Sequence, residues 1–415
     1  MKLVDCTEKY CVIGAGASGL TVAKNLRDYQ LPFDVIERED EVGGNWYYGR
    51  QSGSMAHSTY FGTFKRFTEY TDFPMPQNYP DHPHHSQILA YLRSYAQAFD
   101  LYPTIVFNTS VKRVEPANSF WDVTLDTGEV RCYRGVIIAN GHRQEPNIPA
   151  YSGHFTGLSL HSSEYRTPHI LCNRRALIIG EGPTGRHIAM EAAQNAQRTI
   201  HSTRSEIYRV YGKPGRNHIL FASDNEEYQV VKTASNVVRV FKKTLTGHVG
   251  LGEIVPKPDV LSLHGNRVLF IDGSEECVEV VVYATGFTIS FPFIDKNHLN
   301  WNQNQPHLYL NIFHPLYDTL FVAGLITCKK GEWRLVDYQA QLIAKFISLQ
   351  KRQPSRANFL RQLKAKEFLP VSHEQITRCP NLNSIKVEYS VYFSKLKRLI
   401  KQLDTDCSVC NGDAI

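Results

Sequence analysis

The feature that most constrains the fold of this chain is a glycine-rich loop near residue 14. The apolar run from Cys11 to Ile13 leads into Gly14-Ala-Gly-Ala-Ser-Gly19, and a helix-compatible run without glycine or proline follows. Phe33 to Ile36 then forms a second apolar run, and Glu37 comes directly after it. A strand, a GxGxxG loop, a helix, a second strand and an acidic residue in this order predict a dinucleotide-binding βαβ unit.

Each position of this loop has a predicted role. The first glycine permits the tight turn off the strand, the second lets the backbone approach a pyrophosphate, and the third lets the helix pack against the strand. The first helical N–H groups would then face the phosphates. The Glu37 carboxylate would accept hydrogen bonds from an adenosine ribose and repel a 2′-phosphate, so this site favours FAD or NAD over NADP. The residues predicted to bind the first nucleotide are Gly14, Gly16, Ala17, Ser18, Gly19 and Glu37.

The same plan occurs a second time. Ala176 to Ile179 leads into Gly180-Glu-Gly-Pro-Thr-Gly185, and a helical pattern and the strand-like run from Thr199 to Ser202 follow. Two copies imply two nucleotide ligands. Where the first copy has Glu37, the second has Arg204, and a guanidinium there suits a ribose 2′-phosphate, which predicts NADPH. The residues predicted to bind it are Gly180, Gly182, Thr184, Gly185 and Arg204.

Composition bounds the class of protein. The chain has 415 residues, 42% of them hydrophobic, and a net charge of +6 that no block of like charges concentrates. Nucleic acid is therefore not an expected partner. No run approaches the roughly 18 apolar residues of a membrane span, and the sequence from Met1 does not resemble a signal peptide, so a cytoplasmic location is expected.

Two groups of metal-like residues have a simpler interpretation, so no metal is expected. Cys407 and Cys410 form the only CxxC among nine cysteines, without a second ligand pair nearby, so a zinc or redox role is the minority interpretation. His82, His84 and His85 are interleaved with an aspartate and a proline, which favours a solvated loop.

Three further motifs give the chain a family resemblance. Phe155-Thr-Gly-Leu-Ser-Leu-His161-Ser-Ser-Glu-Tyr165 stands between the two glycine loops, Gly43-Gly44-Asn45-Trp46 follows the first, and Ala284-Thr285-Gly286-Phe287 follows the second. With these motifs, residues 8 to 345 or so closely resemble the flavin-containing monooxygenase family, whose fingerprint has the form FxGxxxHxxx(Y/F). The conjunction is far more specific than any one motif.

The resemblance implies a chemistry. In this family NADPH on the second domain reduces FAD on the first, O2 adds to give a flavin C4a-hydroperoxide, and this oxygenates a nucleophilic nitrogen or sulfur of a small molecule. The cofactor carries the difficult chemistry. A homodimer is compatible with the resemblance. The residues that it adds to the cofactor sites are Gly44, Asn45, Trp46, Lys65, Ser162, Thr285, Gly286, Gly324 and Gln339, and those that it adds near the reacting atoms are Gly62, Thr63 and His161.

Departures from the family pattern leave alternatives open. Gly62 stands where many members have an asparagine that supports the peroxide, with Thr63 or Asn45 as substitutes. An uncoupled NADPH oxidase, or a nucleotide-binding protein without turnover, is therefore one alternative. Baeyer-Villiger-type or decarboxylating oxygenation of a carbonyl is another, disfavoured because Tyr165 and Arg166 replace a usual Trp-Pro. A disulfide oxidoreductase would need a CxxC near the flavin, and residues 40 to 60 contain none.

The predicted fold class is α/β with two Rossmann-like, three-layer ββα dinucleotide-binding domains. An apolar strand ending at Gly324 follows the second copy, so the FAD domain is expected to be discontinuous, with the NADPH domain inserted. The predicted boundaries are 1–165 for the first part of the FAD domain, 166–287 for the NADPH domain and 288–415 for the second part with a C-terminal helical segment. The spacing of Phe393, Leu396 and Leu399 predicts one helical face, interpreted as a docking face.

Overall fold

The computed structural model describes residues 2–50, 53–204, 219–223, 226–232, 237–244, 247–328, 331–366 and 386–404. Cys407 and Cys410 lie outside the described residues. So does the segment 205–218, which is part of the range 205–260 that, together with residues 58–80, the sequence predicts as the lining of a substrate pocket.

The first glycine loop belongs to a sheet that combines parallel and antiparallel strands. The parallel strands have the order β3-β2-β1-β6. The first half of β6 also pairs with β5, and β5 pairs with β4, both in antiparallel orientation. The bounds are β1 (Leu3–Ile13), α1 (Ala17–Asp28), β2 (Phe33–Ile36), α2 (Lys65–Thr68), α3 (His85–Ala98), β3 (Ile105–Val106), β4 (Val111–Ala117), β5 (Phe120–Leu125) and β6 (Val130–Ile138).

The second glycine loop belongs to a sheet with the strand order β12-β13-β14-β15-β11-β10-β19-β9, and β18-β17-β16-β8 form a smaller sheet beside it. The bounds are β7 (Glu145–Pro146), β8 (Ser152–Phe155), β9 (Leu158–His161), β10 (Arg175–Ile179), α4 (Pro183–Asn195), β11 (Arg198–Ser202), β12 (Ile219–Ser223), β13 (Glu226–Lys232), β14 (Val238–Thr244), β15 (Gly247–Lys257), β16 (Val260–Gly265), β17 (Arg267–Phe270), β18 (Glu275–Cys277) and β19 (Val280–Tyr283).

The chain then returns to the first sheet. The remaining elements are β20 (Phe287–Thr288), β21 (Trp301–Asn302), β22 (Gln305–Pro306), β23 (Leu320–Val322), α5 (Glu332–Arg352), α6 (Pro354–Lys366) and α7 (Tyr389–Gln402). β23 pairs parallel with the second half of β6. The predicted discontinuity of the first domain is therefore confirmed. The boundaries at residues 165 and 287 stay a prediction, although β8 and β9 already pair with strands of the second unit.

The alternation of side chains along β1 produces the three layers. Tyr10 and Val12 pack into a core with the helices α1, α3 and α5, while Cys11 and Ile13 pack on the opposite face against Trp121 and other residues of the meander β4–β6. Because successive strand residues point to opposite faces, one apolar run serves both cores. The predicted three-layer ββα arrangement is confirmed.

Two local expectations differ from the structure, and a third, the docking face of α7, is made specific by it. The sequence favours two separate apolar strands, 130–133 and 136–139. The structure has one strand from Val130 to Ile138, because both runs pair with β1 across an irregularity in its register. The histidine-rich loop is solvated only in part, since His85 is buried as the first residue of α3. Leu396 and Leu399 of α7 are buried in the core shared with α5, so this helical face docks within the chain.

Candidate functional site

A single cavity of about 2200 Å³ reaches both glycine loops. Its lining includes 18 of the 23 residues that the sequence analysis selects: Gly14, Gly16, Ala17, Ser18, Glu37, Gly44, Asn45, Trp46, Gly62, Thr63, Ser162, Gly180, Gly182, Thr184, Arg204, Thr285, Gly286 and Gly324. Residues far apart in sequence therefore converge on one space.

The first loop is shaped by close backbone contacts. Gly14 has φ of +104°, and a Cβ there would lie 2.9 Å from the carbonyl oxygen of Ala139, so only glycine fits. A Cβ on Gly19 would collide with the carbonyl of Gly14. Gly16 differs, because its Cβ would meet only backbone atoms of Gly44, the nearest at 3.5 Å, which is an ordinary contact distance. No side chain caps the N-terminus of α1 at Gly16, so the cavity receives helix N–H groups that suit an anion.

Glu37 is held rigidly at the edge of this cavity. Its side chain is 5% exposed. One carboxylate oxygen accepts a hydrogen bond from the Ala15 N–H at 2.6 Å, and the other accepts one from the Glu39 N–H at 3.0 Å. Burial raises the pKa of Glu37, and the two N–H donors act in the opposite direction. The carboxylate thus ties the end of β2 to the glycine loop with lone pairs left to accept further donors.

The second loop repeats these contacts with one difference. Gly180 has φ of +134° and lies against the carbonyl of Ala284, and a Cβ on Gly185 would collide with the carbonyl of Gly180. A Cβ on Gly182 would have no atom within 4 Å. His201, fully buried, donates from Nε2 to the Gly180 carbonyl at 2.7 Å. Burial lowers the pKa of His201 to about 4, so the ring that supports the loop is neutral.

The end of β11 lies next to Asp259, a residue of the cavity that the sequence did not reveal. Arg204 donates from Nε to the Oδ2 atom of Asp259 at 3.0 Å, and both side chains line the cavity. The sequence pattern predicts a guanidinium without a carboxylate at this place. The structure brings a carboxylate there from the connection between β15 and β16, for which no local sequence signal exists.

An aromatic wall lines the part of the cavity next to the first loop. Trp46 stacks on Phe61 with ring centroids 5.0 Å apart, and Trp333 meets both rings edge-on. A Cβ on Gly62 would have no atom within 4 Å, so the space beside this wall is open there. The Thr63 hydroxyl bonds to the Thr68 hydroxyl at 2.7 Å.

The chain matches the family of flavin-binding monooxygenase-like proteins over residues 7–214 and 216–408. It belongs to this family of flavoprotein monooxygenases. Flavin-containing monooxygenase 1 of Homo sapiens is 26% identical over 96% of this chain and 85% of its own length. The N-oxide-forming dimethylaniline monooxygenase 2 of Rattus norvegicus is 29% identical over 85% of this chain and 76% of its own length.

The fold of this family member also matches solved structures. The S-allyl-L-cysteine S-oxygenase of Allium sativum superimposes with a TM-score of 0.71 at 20% identity, covering 97% of this chain and 89% of that one. Membership implies a flavin cofactor, usually with NADPH, and small-molecule substrates together with O2.

Five selected residues of this flavin-binding monooxygenase do not line the cavity: Gly19, Lys65, His161, Gly185 and Gln339. Lys65 donates from Nζ to carbonyls of the loop 76–79. Gln339 accepts the Gly324 N–H at 2.9 Å and donates to the Tyr392 hydroxyl at 2.7 Å. His161 is fully buried, and its Nε2 donates to the Gly286 carbonyl at 2.9 Å. The side chains of Lys65, Gln339 and His161 thus hold loops that form or adjoin the cavity.

Other residues of the cavity were missed by sequence reasoning because they come from loops and from the first turns of α5 and α7, which carry no motif. Besides Asp259 they include Phe61, Tyr151, Glu332, Trp333 and Tyr389. Burial raises the pKa of Glu332. Within the described ranges, no group of three or more His, Cys, Asp or Glu side chains is arranged to hold a metal ion, and no helix is both long and apolar enough to span a bilayer.

Proposed function

We propose that this chain is an FAD-dependent monooxygenase that uses NADPH and O2 to oxygenate a nucleophilic nitrogen or sulfur atom of a small molecule. The observation that carries the proposal is the common cavity: two glycine loops of the same form open onto one space. Two dinucleotides bound to the two loops could therefore bring their reactive rings together, which a hydride transfer requires.

FAD is assigned to the first loop. The lining fits this group, because Gly16 presents only backbone to the cavity, which a pyrophosphate can approach closely, and the uncapped N-terminus of α1 suits the phosphates. Glu37 would accept hydrogen bonds from the hydroxyl groups of the adenosine ribose. Gly44, Asn45 and Trp46 would lie along the flavin, next to the aromatic wall.

NADPH is assigned to the second loop. Gly182, with open space where a Cβ would be, and Thr184 at the N-terminus of α4 would face its pyrophosphate. Arg204 would contact the 2′-phosphate, and Ser162, Thr285 and Gly286 would line the path towards the flavin.

The bound flavin, once reduced, would supply the activation of O2 and the transfer of one oxygen atom to the substrate. The chain itself would orient the two nucleotides and exclude water, a task that suits the aromatic wall of Trp46, Phe61 and Trp333. His161 is a positioning residue in this proposal, because it is buried behind Gly286 and does not itself line the cavity.

One observation favours a second candidate. The open space at Gly62 leaves the site without the amide that many family members place there, and the Thr63 hydroxyl is already engaged by Thr68. An uncoupled NADPH oxidase, which converts O2 to hydrogen peroxide without a substrate, is therefore the alternative.

The test uses purified protein, NADPH and 18O2, with trimethylamine and methyl p-tolyl sulfide as probes. We expect yellow protein that NADPH bleaches without oxygen, and a product that contains one 18O atom for each NADPH consumed. Hydrogen peroxide equal to the NADPH consumed, with both probes unchanged, would favour the oxidase. Protein that stays colourless after incubation with FAD, and that oxidises no NADPH, would refute both candidates.

A further inference from the structure

Arg204 and Asp259 differ in how firmly they are held. The Arg204 side chain is 67% exposed, whereas that of Asp259 is 28% exposed. The second oxygen of Asp259 accepts the N–H of Val260 at 3.0 Å, which fixes the carboxylate to its own backbone. A ligand at this edge can therefore displace the guanidinium more easily than the carboxylate.

The connection that carries Asp259 is anchored to the end of β11. Ser202 donates from its hydroxyl to the carbonyl of Pro258 at 2.7 Å, and the Thr203 N–H donates to the carbonyl of Lys257 at 3.0 Å. Lys257 itself turns towards Ser274 and Glu276. The fold thus keeps a carboxylate at the position where a Rossmann-type site normally decides between a ribose hydroxyl and a 2′-phosphate.

NADH and NADPH would make different contacts with the Arg204–Asp259 pair. The 2′-hydroxyl of an adenosine ribose can donate to the Asp259 carboxylate while the ion pair stays intact. A 2′-phosphate would have to take Arg204 as its partner with Asp259 still beside it, and like charges at such distances repel. Tyr151 lies at the same edge of the cavity, where burial and the Asp259 carboxylate raise its pKa to about 12, so its hydroxyl is a neutral donor for either nucleotide.

We propose that Asp259 sets the nucleotide preference of the second site, competing with a 2′-phosphate for Arg204, so that the site accepts NADH as well as NADPH. The inference rests on the proposed assignment of the nicotinamide nucleotide to the second loop. The Arg204 guanidinium alone therefore does not make this site selective for NADPH over NADH, because the fold supplies the opposing carboxylate of Asp259.

The test measures binding, without turnover, on the flavin-loaded protein. Isothermal titration calorimetry with ADP and with adenosine 2′,5′-bisphosphate compares the unmodified protein with Asp259→Asn, whose side-chain oxygen still accepts the Val260 N–H. Glu253→Gln is the matched control, because it breaks an Arg239–Glu253 pair of the same 3.0 Å length that does not line the cavity.

Removing the carboxylate charge should tighten the bisphosphate about tenfold, since exposed charges a few ångströms apart interact by about 1 kcal/mol or more. ADP should weaken roughly threefold, because a neutral acceptor replaces a charged one. The control should change neither constant. NADH should also bleach the unmodified protein at a rate within about tenfold of NADPH, a selectivity of about 1.4 kcal/mol at most.

Two results would overturn the inference and leave the proposed function standing. The first is weaker binding of the bisphosphate to Asp259→Asn, which would make the carboxylate a positioning partner of Arg204. The second is unchanged binding of both ADP and the bisphosphate. If the unmodified protein bound neither ADP nor the bisphosphate, the nucleotide assignment of the proposed function would fail with it.

Discussion

Gly182→Ala is the substitution whose effect the structure isolates best. Gly182 is the N-cap of α4 with φ of −68° and ψ of 173°, an extended conformation that alanine adopts. No atom lies within 4 Å of the added Cβ. Alanine at an N-cap costs a few tenths to 1 kcal/mol relative to glycine, and the smaller entropy of the unfolded chain offsets about 0.4–1 kcal/mol. The free energy of unfolding should therefore change by less than about 0.5 kcal/mol.

Nucleotide binding should change much more. The new methyl group would project into the cavity at the point where a pyrophosphate approaches the N-terminus of α4, and the phosphate would lose at least one hydrogen bond to a helix N–H. A hydrogen bond to a charged group contributes about 1.5–3 kcal/mol, which corresponds to roughly 10- to 150-fold in the dissociation constant. The flavin, assigned to the other loop, should stay bound.

The assay pairs absorbance at the flavin band with anaerobic bleaching by NADPH. Gly182→Ala should stay yellow and bleach only at much higher NADPH concentrations. Gly16→Ala should fold, because its Cβ would meet only backbone atoms of Gly44, at 3.5 Å or more, and should be colourless. Gly185→Ala is the contrast, since its Cβ would collide with the Gly180 carbonyl and should prevent folding. Loss of flavin from Gly182→Ala with NADPH binding intact would show that the two loops have the opposite ligands.

Three further predictions concern single side chains. Arg204→Ala should cost about 1.5–3 kcal/mol of NADPH binding and leave NADH use nearly unchanged, and equal losses in titrations with both nucleotides would contradict the phosphate contact. Gly62→Asn, at a position with open space and no positive φ, should add a hydrogen bond worth roughly 1 kcal/mol and lower hydrogen peroxide release without substrate severalfold; unchanged release would make Gly62 irrelevant to coupling. His201 has a pKa of about 4 when folded and near 6.5 when unfolded, so the unfolded chain binds more protons between these values and stability falls as the pH is lowered from 6.5 to 4. His201→Gln, which keeps a donor for Gly180, should reduce that slope in urea titrations by up to one proton, and an identical slope would refute the buried neutral ring.

The sequence alone determined the features that depend on neighbouring residues. The turn at Gly14 and the contact of Gly19 with Gly14 lie within one loop, so residue types at fixed offsets specify them. The two-sided apolar pattern of β1 likewise specifies both cores, because the side-chain period of a strand is local. For the same reason the duplicated plan and the return of the chain at β23 were predictable.

Only the tertiary structure decided contacts between distant segments. The sequence places Arg204 at the end of a strand, yet the partner that changes its chemistry, Asp259, comes from another connection that the backbone bonds of Ser202 and Thr203 hold in place. Lys65, selected for a cofactor, instead donates to loop carbonyls, because these acceptors lie within its reach once the loop has folded. Charge and hydrogen-bond partners depend on separations of a few ångströms in space, and a motif specifies such separations only among the residues that it contains.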